Sequence, residues 1–161
     1  MKYLALLIFA IGFPQKPEWK TLENAEFQIK YPSKWELNQS GISGTNFILF
    51  APNQSPTFRD NLNLIIQDLK GQNIDLKKFT EISVEQIKQY FTNANIILSE
   101  TTAGKHKIVY TGTQGQLNLK WEQYYWVKNE KAYILTFTAD QLSFDKQIEE
   151  VNSIMDSFKI K

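Results

Sequence analysis

Few residues in this chain carry chemistry that needs a special environment. His106 is the only histidine. Imidazole serves as a general base or a metal ligand. Nothing of ligand spacing stands near it, and the flanking Lys105 and Lys107 repel a cation, so a solvated strand end is expected. A serine nucleophile needs a base and a strained strand–helix turn with glycines around it. Ser40-Gly41 and Ser43-Gly44 have hairpin chemistry instead. Paired carboxylates are the remaining acid–base option: Asp68 and Glu122 fall in expected strands, and Asp60 closes a proline-containing loop, whereas Glu149-Glu150 is expected on solvated helix surface. No Asp, Asn and Glu cluster has the spacing of a calcium loop. Gly41-Ile42-Ser43-Gly44 and Gly112-Thr113-Gln114-Gly115 lie between strands and lack the Lys-Ser/Thr of a phosphate loop. No catalytic residue, metal ligand or cofactor site is assigned.

Recognition offers more. Arg59 is the sole arginine, and its planar fork suits a partner's carboxylate or phosphate; the plainer alternative is a local ion pair with Asp60. Along 117–127, one strand face carries Leu117, Leu119, Trp121, Tyr125 and Val127 and reads as core. The other carries Asn118, Lys120, Glu122, Tyr124 and Trp126. An aromatic pair at the end of a polar face is a contact surface, unless a helix of the same domain covers it. Arg59, Tyr124 and Trp126 are therefore the candidate partner-binding residues. Asn38-Gln39-Ser40 and Asn53-Gln54-Ser55 are glycosylation sequons if the chain is exported.

The chain has 161 residues, a formal net charge of +1, no cysteine, and 42% hydrophobic and 14% aromatic residues. That length argues for one domain with a sizeable core. Near-neutral charge removes the footprint of a nucleic-acid binder. The lack of cysteine removes disulfides, thiolate metal sites and thiol catalysis. Residues 1–12 have one positive charge, an apolar run and small residues near Gly12, the pattern of a secretory signal. The run is too short to span a membrane. The expected organisation is a signal peptide over 1–12, a linker over 13–22 and one domain over 23–161, exported to the periplasm or beyond the cell.

Period-two alternation predicts a strand at 27–31, with 35–37 returning as a hairpin, then strands at 47–50 and 62–66. From Asp75, a plausible N-cap, Leu76, Phe79, Ile87, Tyr90 and Phe91 recur at helical spacing. Strands over 96–102, 107–111, 117–127 and 132–139 follow with turn-like separators, which makes them antiparallel neighbours. Ser143 is the expected cap of a second helix whose stripe is Phe144, Ile148, Val151, Ile154, Met155 and Phe158. Strands and helices without regular alternation make an α+β domain.

Three stretches resemble the PsbP-like family: 27–35, with its strand, Tyr31-Pro32 and Trp35; 61–65, an Asn-plus-apolar strand; and 133–139 continuing through the last helix to Ser157-Phe158. The resemblance implies a central antiparallel sheet with helices on both faces, a three-layer domain, and a binding or accessory role rather than an enzyme. This chain lacks the lipidation cysteine and metal-ligand set of photosynthetic members. The expected function is a non-enzymatic, exported accessory domain engaging a protein or envelope component. The alternatives are a carrier or sensor of a small apolar ligand and a carboxylate-dependent hydrolase. The oligomeric state, monomer included, is left open.

Overall fold

At Asp75 the apolar repeat changes from two residues to about 3.6, and the chain turns from strand into helix. A computed structural model describes residues 18–52 and 58–161. In chain order the elements are β1 (Trp19–Glu23), β2 (Phe27–Pro32), β3 (Glu36–Asn38), β4 (Phe47–Phe50), β5 (Asn61–Asp68), α1 (Leu76–Tyr90), β6 (Thr92–Thr102), β7 (Lys105–Gln114), β8 (Leu117–Lys128), β9 (Lys131–Asp140), α2 (Gln141–Asp156) and β10 (Lys159–Ile160). The class is α+β. Seven strands form the main sheet in the order β3-β4-β5-β9-β8-β7-β6, and β1-β2-β10 form a second, smaller one. All the pairings are antiparallel.

Local chemistry sets the meander from β6 to β9. Ala103-Gly104 and Asn129-Glu130 each place two successive residues at positive φ, the geometry that matches the twist of tight two-residue hairpins. Asp75 caps α1 as expected, accepting from the Lys78 amide at 2.8 Å. The cap of α2 is Asp140, which accepts from the Leu142 amide at 2.9 Å. Ser143 lies inside the first turn instead, and its hydroxyl donates to the Asp60 carboxylate at 2.7 Å.

Other expectations are corrected. Residues 19–22, read as linker, form β1 and pair with β2. The hairpin expected between 27–31 and 35–37 does not form. A turn closed by the Trp35 amide on the Pro32 carbonyl, 3.0 Å, sends the chain from the small sheet into the large one, where β3 pairs with β4. Gly112-Thr113-Gln114 continue β7 rather than turning. The signal segment over 1–12 and the sequon at Asn53 lie outside the described residues.

Two apolar clusters divide the main sheet by residue parity. Tyr124 of β8, Leu135 and Phe137 of β9, and Leu62 and Leu64 of β5 pack with Phe144, Val151, Ile154 and Met155 of α2. Leu119, Trp121 and Tyr125 of β8, with Ile108 and Tyr110 of β7, pack with Phe79 and Ile87 of α1. Consecutive side chains of a strand point to opposite faces, so β8 feeds both.

Gly112 sits where the end of α1 presses on β7: a Cβ there would lie 2.9 Å from the Phe91 Cβ. Gly112→Ala therefore forces a backbone shift and lowers the unfolding free energy by about 1–3 kcal/mol. The urea midpoint measures this, and an unchanged midpoint would show that the contact yields freely.

Candidate functional site

The face of the sheet that carries α1 is only partly covered by it. The helix packs mainly on β6, β7 and β8, and the neighbouring strands β9 and β5 continue the sheet beside it. Between helix and sheet lies a cavity of about 500 Å³, within the range of small-ligand sites. Its helical wall is two stripes at four-residue spacing, Phe79-Ser83-Ile87 and Ile82-Gln86-Tyr90; its floor comes from Ile65, Ile134, Thr136, Gln123, Tyr125 and Tyr110. Leu69, Gln72 and Ile74 bound one end and Phe91 the other. Tyr90, 85% exposed, stands at the rim.

None of the lining residues is an Asp, Glu, Lys, Arg or His, although 22% of the chain is charged. The polar groups of the floor are tied together. The Tyr125 hydroxyl donates to the Gln123 side-chain oxygen, and the Gln123 amide donates to the Thr136 hydroxyl at 3.0 Å. Burial pushes the Tyr125 phenol up, with the Ser83 hydroxyl opposing part of the shift. Burial, reinforced by neighbouring Tyr125, pushes Tyr110 up as well. Both phenols therefore stay protonated, and the cavity is uncharged at neutral pH.

His106 is set behind this cavity, and it is not a solvated strand end. It is 4% exposed and stacks on Tyr125, with ring centroids 5.9 Å apart. The Thr101 hydroxyl lies 2.8 Å from Nδ1 and the Ser99 hydroxyl 3.2 Å from Nε2. Lys105 and Lys107, its chain neighbours, point to the opposite face of β7. Burial holds the imidazole below its usual value, and Glu100 opposes part of that shift.

By sequence, no protein-family model and no curated protein matches the chain. By structure, the cyanobacterial PsbP protein of Synechocystis superposes with a TM-score of 0.63 over 96% of this chain and 97% of its own, at 13% identity. LpqN, involved in cell envelope biogenesis of Mycobacterium tuberculosis, superposes with a TM-score of 0.66 over 91% and 92%, at 12% identity. The fold is PsbP-like.

Within this PsbP-like fold the residues singled out from sequence go to different places. Arg59 pairs with Glu36, not Asp60, and its guanidinium lies 4.1 Å from the centre of the Phe50 ring. Asp60 is buried and accepts from the Asp140 amide and the Ser143 hydroxyl, fastening its loop to α2. Tyr124 is 2% exposed, so its ring does not offer the accessible contact surface expected of it. It packs edge-on to Trp126, which in turn packs on Phe158, and Lys105 lies 3.8 Å from the Tyr124 ring centre. Glu122 is buried beside them with the Lys107 ammonium at 3.0 Å. Asp68 caps the Lys70 amide at the far end of β5. Asp68 and Glu122 pair with Lys131 and Phe137 of β9, six residues apart along that strand or about 20 Å, so they form no catalytic pair. Glu150 is not free surface: it accepts from the Trp35 indole at 2.9 Å and pairs with Lys34. Among the described residues, no three His, Asp or Glu side chains gather as a metal site would require, and no helix is long and apolar enough to cross a membrane.

Sequence reasoning missed Gln123 and Thr136. The available signal was the polar break that Gln123 makes in the apolar face Leu119, Trp121, Tyr125, Val127.

Because folding favours neutral His106, its contribution to stability is complete above the unfolded value of about 6.5 and is lost as pH falls below it. The thermal midpoint is expected to drop between pH 7 and pH 5, and to drop less in His106→Gln. Parallel pH profiles of the two proteins would contradict the assignment.

Proposed function

We propose that this protein is an exported accessory domain of the cell envelope that holds, rather than transforms, a small and mainly apolar envelope component in the cavity beside α1. The observation that carries the reading is the cavity itself, roomy enough for a ligand and lined by apolar and neutral polar side chains. General acid–base and metal-assisted chemistry use groups that titrate near neutrality or ligate cations, and the lining supplies none. A three-layer arrangement, with α2 closing one sheet face and α1 half-closing the other, is the architecture under which this works: one face becomes core and the other keeps a recess. The PsbP-like fold, shared with an LpqN protein of envelope biogenesis, supports the accessory role. On this reading the apolar segment over 1–12 is the export signal. Arg59, half-exposed at Glu36 beside the Phe50 ring, is the outward polar anchor for a protein partner. Tyr124 and Trp126 contribute from beneath, by fixing the C-terminal segment through Phe158.

Cell fractionation and native mass spectrometry test this together. The protein is expected outside the cytoplasm and, purified gently from its source, is expected to carry a bound small molecule. Ile65→Trp, on the half-exposed floor of the cavity, should be recovered folded and empty. A cytoplasmic protein, or equal occupancy of the filled variant, would overturn the proposal.

A further inference from the structure

The hydrogen bonds on the cavity floor run in one direction. The Tyr125 hydroxyl spends its proton on the Gln123 oxygen, and Gln123 spends one amide proton on the Thr136 oxygen. Thr136 has one hydroxyl proton left to give, and Gln123 has a second amide proton. Among the described residues, neither donates to an acceptor. Thr136 is buried, and a donor buried without an acceptor costs about 1–3 kcal/mol. The floor therefore presents adjacent donors that call for an oxygen acceptor, ringed by the apolar side chains of Ile65, Ile134, Phe79 and Ile87.

The same lining constrains charge. A carboxylate or phosphate brought here meets no cation, and an amine meets no anion, so either would be desolvated without a partner. From this geometry we infer that the ligand is a neutral molecule with an apolar body and a carbonyl-type acceptor, as in an acyl ester or amide, and that its carbonyl oxygen binds Thr136 and Gln123. This rests on the cavity-binding reading above and adds the chemical class of what is bound.

The test uses the full chain and three decyl-length probes, methyl decanoate, decanoate and decylammonium, titrated at pH 8 and followed by amide chemical shifts. Methyl decanoate is expected to bind about tenfold or more tightly than either charged probe. Thr136→Val, which keeps the shape and removes the donor, should weaken the ester about fivefold, and Thr136→Ser should restore it. Shifts should centre on Thr136, Ile134 and Phe79. Equal affinity for the charged probes, or an ester affinity unchanged in Thr136→Val, would overturn the assignment. If the probes fail while the protein from its source still carries a molecule that Ile65→Trp loses, the ligand class is wrong and the binding function stands. If neither binds, both fall.

Discussion

Every side chain of β8 from Leu119 to Tyr125 is buried or half-buried, and alternate ones enter different cores. This double burial governs the remaining layout. Tyr124 packs with residues of α2 and Leu119, Trp121 and Tyr125 with residues of α1, and the polar members of the second face are paired where they lie. Lys120 reaches Asp145 of α2 at 2.8 Å and covers the Phe144 ring; Glu122 meets Lys107 from the next strand. Glu122 is the buried member of these pairs, and removing Lys107 would leave its charge uncompensated, so the α2 side is closed both by packing and by charge. With that face committed to the core, the recess beside α1 lies on the sheet's other face.

What the sequence disclosed and what it hid follow from the range of the interactions involved. Asp75 was legible as a cap because a cap bond spans three residues. Asp140 was not, since Ser143 had the same chemistry and was withdrawn by Asp60, which is distant in sequence and adjacent in space. Alternation along β8 sorted its residues into two faces, and of the two readings open for the polar face, contact surface or cover by a helix, the cover is what α2 supplies at Tyr124; the pairing of Glu122 with Lys107 of the next strand had no signal within β8. His106 is the instructive miss. Its lysine neighbours repelled a cation on paper, yet a strand turns adjacent side chains apart, and the groups that decide its environment, Ser99 and Thr101, come from across the hairpin.

The candidate site was the least legible part, because a cavity is defined by what fails to cover a surface. The apolar stripe of α1 announced a buried face without saying that a recess would remain between the helix and residues of β5, β8 and β9. Gln123 and Thr136 are ordinary strand residues until they are adjacent, and register alone makes them so. Fold likeness at 12–13% identity carries the architecture and leaves the ligand to this chain's own side chains.

The most direct measurement is whether the recess beside α1 exists as an open apolar space in solution. Xenon enters preformed apolar cavities and few other places. Amide and methyl spectra under xenon pressure should respond at Ile65, Phe79, Ile87 and Ile134 and stay still at Val151, Ile154 and Met155. A silent α1 side, or a response confined to the α2 core, would contradict the account.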